Sequence, residues 1–154
     1  TFDVVISSEV FEHVDNLDYL MKEIHRVLKK DGVLFVTMPF VWTEHEIPYD
    51  FRRFTSFGHI KILKENCFKD ISTHGTTGTF GTVGQIISDF LIGEFSRALE
   101  RIPSSGLGYK FKFIVSRLFV FSFCFPIQTL ALFLDVLFKH KGLTLDFVVK
   151  AKKI

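Results

Sequence analysis

Two short apolar runs near the beginning of the chain predict buried strands. Residues 2–7 (FDVVIS) and 33–38 (VLFVTM) are rich in β-branched and large apolar side chains and are bounded by polar residues or proline. Such runs are typical of strands covered on both faces of a parallel sheet. Between them, residues 16–30 repeat their apolar positions with the 3.6-residue period of an amphipathic helix. We expect Asp31-Gly32 to end that helix, which gives one βαβ unit of an α/β fold.

The chain changes character after this unit. Residues 57–66 predict a helix capped by Thr55 or Ser56, and residues 68–74 predict a short strand. Residues 75–84 (GTTGTFGTVG) are rich in glycine and threonine, so we expect a flexible segment there.

A strongly apolar stretch at residues 111–138 follows a predicted amphipathic helix at 85–101. Residues 118–134 lack charge over roughly the minimum length of a membrane span. Because Pro126 and Gln128 interrupt them, we expect two helices, broken at Pro126, that lie in the membrane interface. A buried lid or oligomer contact and a true span are the alternatives. Basic residues flank the stretch and suit anionic headgroups: Lys110, Lys112, Arg117, Lys139 and Lys141.

The pattern divides the chain into three parts. Residues 1–77 form most of the α/β core, residues 78–142 form a hydrophobic helical insertion or lid, and residues 143–154 return to the core. Within the last part, residues 145–152 predict an edge strand with its lysines pointing outward. Because the chain opens directly in a buried strand, we expect it to be the C-terminal part of a longer protein.

Composition and charge exclude several classes of function. The 154 residues suffice for one domain with a sizeable core. A formal net charge of +2, without a basic patch, argues against a nucleic-acid partner. Cys67 and Cys124 lie far apart and form no CxxC motif, so they indicate neither a zinc site nor a disulfide framework. This cysteine usage fits the cytoplasm.

Three strings resemble the second half of class I S-adenosylmethionine-dependent methyltransferases. They are FDVVISSEVFEHV at residues 2–14, VLKKDGVLFVTMP at 27–39 and HEIPYDFRRFT at 45–55. The first two look most like the small-molecule, quinone or glycan O-methyltransferase branch. The third is similar to a "HExPYDFxRYT" pattern of bacterial members associated with surface polysaccharides. The resemblance implies the C-terminal half of a Rossmann-like methyltransferase sheet, and residues 78–142 have no counterpart in the minimal fold.

The resemblance also implies a function. We expect S-adenosylmethionine-dependent methyl transfer, to oxygen, on a small-molecule, hydrophobic, lipid-linked or glycan acceptor at the inner face of the membrane. The family's Gly-rich cofactor loop would precede residue 1, so this fragment alone is expected to be inactive. The alternative is a non-catalytic, membrane-docked binding module that keeps a degenerate methyltransferase fold.

Two charged segments are expected to meet at one edge of the sheet. Ligands of open parallel sheets bind beyond the carboxyl ends of the strands, where both Ser7–Glu9 and residues 39–55 emerge. The resemblance implies that the backbone of Ser7, Ser8 and Glu9 borders the methionine end of the cofactor.

The second segment contains the candidate catalytic residues. We expect His45 to act as the base that deprotonates the acceptor, since a neutral imidazole works near neutral pH. Asp50 would orient His45, and Arg53 would hold an anionic group of the substrate. Alternatively, Asp50 and Arg53 pair to fix the loop and leave His45 in solvent.

Glu9, Glu12 and His13 form a candidate metal site. Their i, i+3, i+4 spacing would align them on one helical face, and it resembles the divalent-ion motif of some quinone and RNA 2′-O-methyltransferases. His45 would be a fourth ligand. Mg²⁺ suits the carboxylates, while the imidazole leaves Mn²⁺ or Zn²⁺ open. In the alternative without a metal, Ser8 caps a helical turn, the glutamates favour its positive end, and His13 packs against the next helix.

Overall fold

The computed structural model describes residues 1–103, 107–138 and 142–154. These residues form two compact units. Unit 1 comprises residues 1–77 and 143–154, and unit 2 comprises residues 78–142.

Unit 1 is a four-stranded mixed sheet with two helices. The strands are β1 (Phe2–Ser8), β2 (Leu28–Pro39), β3 (Phe68–Gly75) and β4 (Asp146–Lys153), in the spatial order β1-β2-β4-β3. β1 and β2 are parallel, whereas β4 runs antiparallel to both β2 and β3. The helices are α1 (Leu17–Val27) and α2 (Ser56–Glu65), and a single 3₁₀ turn covers Phe11–His13.

The core of unit 1 packs the apolar side of α1 together with the strands. Asn16 begins α1, because its side chain accepts a hydrogen bond from the backbone N–H of Tyr19 at 3.0 Å. Thr55 does the same for α2 through the N–H of Gly58. The buried cluster consists of Phe11, Leu17, Met21, Ile24, Leu28, Leu34, Val36, Met38, Leu63, Phe68, Val149 and Ala151.

The predicted end of the first helix at Asp31-Gly32 is wrong. α1 ends at Val27, and β2 begins at Leu28, which is buried in the core and pairs with Phe2. The register then shifts across an irregularity in the strand pair, where Asp31 adopts a left-handed φ of 58°. The helix gives way to the strand here because Leu28 pairs with Phe2 of β1 while its side chain stays in the core.

The prediction of an edge strand at the end of the chain is also wrong. β4 lies between β2 and β3, and its Val149 and Ala151 are almost fully buried. The alternating lysines mark the other face of this inner strand, where the ammonium group of Lys150 lies 5.7 Å from the ring centre of Phe35. Conversely, the prediction that β1 is buried is wrong for the described residues, because β1 is an edge strand and its Phe2, Val4 and Ile6 are exposed.

Unit 2 consists of helices. α3 (Thr79–Glu100) is followed by α4 (Leu107–Phe119), a π-helical segment (Val120–Cys124) and α5 (Phe125–Phe138). The predicted flexible segment is wrong from Thr79 onward, because the carboxylate of Asp135 accepts hydrogen bonds from the first-turn N–H groups of Phe80 and Gly81. Glycine there allows a close approach and does not prevent the helix.

Pro126 does not break the helix, contrary to expectation. Residues 108–138 form one continuous helical segment, long and apolar enough to cross a membrane by length and composition alone. The π-helical turn before Pro126 widens the helix where the proline ring would otherwise meet the preceding turn. Lys139 and Lys141, the predicted basic flank, lie outside the described residues.

His59 makes the stability of unit 1 sensitive to acid. Its side chain is buried between the rings of Phe54 and Phe147, and burial lowers its pKa to about 4. Unfolding restores a pKa near 6.5, so His59 is expected to reduce the free energy of unfolding as pH falls from about 6.5 to about 4, by about 3 kcal/mol at most.

Replacing His59 by phenylalanine should remove this part of the pH dependence. We expect the difference in unfolding free energy between pH 7 and pH 4.5, measured by urea denaturation, to shrink in His59→Phe. The same substitution of the exposed His74 serves as the control and should leave that difference as in the parent. An unchanged pH dependence in His59→Phe would contradict the assignment.

Candidate functional site

The turn after β1 lies against the carboxyl end of β2. The hydroxyl oxygens of Ser8 and Thr37 are 2.9 Å apart, and the N–H of Glu9 donates to the carbonyl of Thr37 at 3.1 Å. Glu9 has a left-handed φ of 50°, so the chain turns sharply here. Ser7 is buried, while Ser8 and Glu9 are exposed at this edge of the sheet.

The helical face predicted for Glu9, Glu12 and His13 is wrong. The left-handed residue Glu9 precedes the segment, and only Phe11–His13 form a 3₁₀ turn, without a side-chain cap. Neither the predicted ligand alignment nor the Ser8 cap is formed. Glu9 lies before the 3₁₀ turn, on a sharp left-handed bend of the chain. Its side chain is therefore separated from those of Glu12 and His13.

The loop after β2 folds over the turn after β1. Phe40 and Val41 donate their N–H groups to the carbonyl of Leu145, just before β4, which sets the direction of the loop. Further along, the N–H of Phe51 donates to the carbonyl of Glu12 at 2.9 Å. The two predicted segments therefore meet, as expected from the strand ends.

Arg52 holds the two segments together. Its guanidinium group donates to the backbone carbonyls of Phe11, Val14 and Asp15. No periodicity in the loop distinguishes Arg52 from the adjacent Arg53, so the sequence alone does not predict its role. The sequence did contain one indication that Arg52 matters: Arg52 and Arg53 are the only lysine or arginine residues in the loop of residues 39–55.

Asp50 and Arg53 form a bidentate ion pair beside His45. The two terminal nitrogens of Arg53 lie 2.5 and 2.7 Å from the carboxylate oxygens of Asp50. The N–H of His45 donates to Asp50 Oδ2 at 3.0 Å, and His45 Nδ1 is 3.3 Å from the same oxygen. The Arg53 guanidinium holds the pKa of Asp50 well below its usual range. Because Asp50 occupies the guanidinium, a substrate anion would compete with an existing pair.

The imidazole of His45 is only partly exposed, and its ring nitrogens differ in their surroundings. Nδ1 is 3.2 Å from the carbonyl of Thr43, which accepts a hydrogen bond from the tautomer protonated there. His13 is held similarly, with Nδ1 2.8 Å from the carbonyl of Tyr49. The two rings meet edge to face, with centroids 4.7 Å apart. In these tautomers the Nε2 atom of each ring keeps a free lone pair.

Glu12, His13 and His45 form a group whose ligand atoms all lie within 4.8 Å of one another. Glu12 is fully buried, and neither carboxylate oxygen has a hydrogen-bond partner. Burial raises the pKa of Glu12, and Nε2 of His13 lies 3.7 Å from its Oε1. Unpaired buried carboxylates are unfavourable, so these donors fit a divalent cation. Glu9 is not part of the group.

A small cleft opens beside the ion pair. It encloses about 230 Å³ and is lined by Trp42, Glu44, Asp50, Phe51, Arg52 and Arg53. Aromatic faces next to charged groups can hold a ligand with an apolar body and polar substituents.

Comparisons with known proteins agree with this architecture. A family model described as "Methyltransferase domain" matches residues 1–36. The chain is 43% identical over 35 residues to the ubiquinone biosynthesis O-methyltransferase of Pelagibacter ubique (strain HTCC1062), which covers 23% of this chain and 15% of that protein.

Solved structures match over nearly the whole chain at low identity. The [4+2]-cyclase SpnF is 15% identical with a TM-score of 0.52, over 99% of this chain and 51% of that one. Phosphoethanolamine N-methyltransferase 2 of Haemonchus contortus is 19% identical with a TM-score of 0.49, over 99% and 33%.

The chain thus spans a small part of the curated relative that it matches and at most about half of these two structures. The resemblance to class I S-adenosylmethionine-dependent methyltransferases is confirmed, and so is the α/β, Rossmann-like fold class. Since one structural match is a cyclase, the fold alone does not assign a reaction.

The ion pair predicts how the loop responds to substitution. Asp50→Asn should leave the half-buried Arg53 unpaired and lower the free energy of unfolding by about 1–3 kcal/mol, measured by urea denaturation. Glu44→Gln, at an exposed position of the same loop, is the matched control and should change it by less than about 0.5 kcal/mol. Equal stability of Asp50→Asn and Glu44→Gln would contradict a structural role for the pair.

Proposed function

We propose that this chain, as part of a class I methyltransferase domain, takes part in methyl transfer from S-adenosylmethionine to an oxygen atom of a hydrophobic, lipid-linked or glycan acceptor. The protein would act in the cytoplasm, at the inner face of the membrane. The observation that carries the proposal is the contact between the two segments. The rings of His13 and His45 meet edge to face, and Arg52 of the loop donates hydrogen bonds to backbone carbonyls that follow β1.

The backbone from Ser7 to Glu9 would border the methionine end of the cofactor. Its position at the carboxyl end of a parallel strand is where open α/β sheets bind ligands. The exposed left-handed turn at Glu9 leaves the backbone accessible there. When bound, S-adenosylmethionine supplies a methyl group on a sulfonium, which departs as a neutral thioether.

His45 would accept the proton of the acceptor hydroxyl. Its Nδ1 faces the Thr43 carbonyl and Asp50, which fixes the tautomer and leaves Nε2 as the base. The hydroxyl proton would move to Nε2 as the acceptor oxygen takes the methyl group that the cofactor supplies. Asp50 would stabilise the resulting imidazolium, and Arg53 would fix Asp50 in place.

His45 therefore offers a direct test of the proposal. In the full-length protein, His45→Gln should slow methyl transfer about 100-fold or more, while the dissociation constant of S-adenosylmethionine changes less than about twofold. Transfer is measured with methyl-labelled cofactor and a lipid extract of the host, and binding by calorimetry. His74→Gln, at an exposed position in β3, is the control.

Two results would count against the proposal. Full transfer activity in His45→Gln would remove His45 as the base. A full-length protein that binds no S-adenosylmethionine would favour the alternative, a non-catalytic module that keeps the fold for binding alone.

As an alternative to the role of His45 as the base, we propose that Glu12, His13 and His45 hold a divalent cation, which would occupy the Nε2 lone pair of His45. The unpaired, buried carboxylate of Glu12 favours it, and the free Nε2 lone pairs of the two histidines complete the set. Two imidazoles and one carboxylate suit Mn²⁺ or Zn²⁺ better than Mg²⁺. The cation would fix the loop on the turn after β1, and it would lower the pKa of an acceptor hydroxyl that reached it.

Thermal unfolding with and without metal tests this site independently of activity. Mn²⁺ at about 100 times its dissociation constant should stabilise the protein by about 2.7 kcal/mol, and chelator should reverse the shift. Glu12→Gln should abolish the shift, whereas Glu9→Gln, the matched control outside the group, should keep it. A shift that is absent in the parent, or that disappears in Glu9→Gln alone, would contradict the assignment.

A further inference from the structure

Unit 2 packs its small side chains inside and leaves its large apolar side chains outside. Among its described residues, the fully buried ones are Gly81, Thr82, Gly84, Ser88, Cys124 and Ala131. Large apolar side chains face outward along α4, the π-helical segment and α5, and Phe121 and Val136 are 67% and 70% exposed. Helices of water-soluble proteins normally bury an apolar stripe instead. Small residues at the helix contact are typical of helices packed in lipid.

α3 packs antiparallel against the helical segment of residues 108–138. The contacts follow one register, since Phe80 meets Phe138, Gln85 meets Gln128 and Phe95 stacks on Phe119 at a ring distance of 4.0 Å. Gly84 is required in this register, because a Cβ atom there would lie 2.7 Å from that of Ala131. The pair is a close-packed helical hairpin.

Polar groups of the apolar segment find partners within the hairpin. Asp135, the only acidic residue of α4 and α5, accepts hydrogen bonds from two N–H groups in the first turn of α3. Gln128 donates to Gln85 at 2.6 Å, and the hydroxyl of Thr129 donates to the carbonyl of Phe125. Side chains at these positions would be costly in hydrocarbon without such bonds.

The charges of unit 2 divide between its two sides. α3 exposes Asp89, Glu94 and Arg97, so hydrocarbon cannot surround it. By contrast, residues 118–138 carry no charged side chain besides Asp135. α3 also exposes Ile86, Ile87 and Phe90, but the side formed by residues 118–138 is the more apolar one and is suited to hydrocarbon.

The basic residues argue against a hairpin that crosses the bilayer. The chain leaves and re-enters unit 1 at neighbouring points, because the N–H of Thr77 donates to the hydroxyl of Thr144. A crossing hairpin would carry the cations near its turn to the far side, although basic residues are retained on the cytoplasmic side. These cations are Arg97, Arg101, Lys110 and Lys112.

We propose that residues 108–138 lie in the plane of an anionic phospholipid bilayer, with their exposed apolar side chains in the hydrocarbon and α3 toward water. The cations near the turn would contact lipid phosphates. Their sign and their position at one end of the apolar surface match an anionic headgroup layer. This inference does not depend on the proposed methyl transfer, because it concerns a surface in unit 2 only.

Vesicle flotation of the full-length protein tests the surface. The protein should float with vesicles of phosphatidylcholine and phosphatidylglycerol and bind much less to phosphatidylcholine alone. Phe121→Gln with Phe133→Gln should weaken binding about tenfold per side chain. Arg101→Gln with Lys110→Gln should weaken it about fivefold per cation on the anionic vesicles only.

Matched controls come from unit 1. Phe57→Gln and Lys61→Gln alter an exposed phenylalanine and an exposed lysine of α2 and should leave flotation unchanged. Circular dichroism must show unchanged helix content in every variant that is compared. If the parent stays unbound and instead forms a dimer that Phe121→Gln with Phe133→Gln dissociates, a second copy covers this surface and the proposal is wrong.

The in-plane orientation has its own test. Ile102→Cys, made together with Cys67→Ser, gives an accessible thiol at the end of α3 near the turn of the hairpin. In membranes from the host, an impermeant maleimide should label it from the cytoplasmic face. Labelling from the opposite face alone would mean that the hairpin crosses, which overturns the in-plane arrangement.

Discussion

The insertion of β4 between β2 and β3 is the constraint on which the rest of the structure depends. Because β4 is antiparallel to both neighbours, the chain must leave β3 and return beside it. The residues between Gly75 and Thr144 thus connect two neighbouring antiparallel strands. A long helical hairpin can be inserted in this connection without changing the sheet. The same return brings the carbonyl of Leu145 to the N–H groups of Phe40 and Val41, which directs the loop after β2 toward the turn after β1.

The site that results is a contact between two irregular segments, each anchored by a strand. Arg52 satisfies three backbone carbonyls of the first segment, and the Asp50–Arg53 pair stiffens the second. What remains unsatisfied is the carboxylate of Glu12, buried beneath two imidazoles. Buried groups of this kind occur where function requires them, since they cost stability. The polar network holds the loop, whereas the buried carboxylate of Glu12 adds nothing to that network, and we therefore proposed it as a cation ligand.

Periodicity and capping predicted the regular elements of unit 1 to within a few residues. The period of α1, the Thr55 cap of α2 and the apolar runs of β1 and β2 are local signals, and the structure follows them. Errors arose where tertiary contacts outweigh local ones. Leu28 pairs with Phe2 of β1, the lysines of β4 mark a face and not an edge, and Asp135 caps a helix that glycines would not predict. Likewise, the pairing of His13 with His45 depends on a loop without periodicity, so the sequence indicated only that the two segments meet.

We propose that the turn after β1 and the loop after β2 together form the methyl-transfer site. The most direct test is a crystal structure of the full-length protein with S-adenosylhomocysteine, the demethylated product. We expect the methionine end of the ligand against the backbone of Ser7 to Glu9, with Nε2 of His45 facing its sulfur across a space for the acceptor. A ligand bound away from these residues, or a His45 ring turned away from the sulfur, would contradict it.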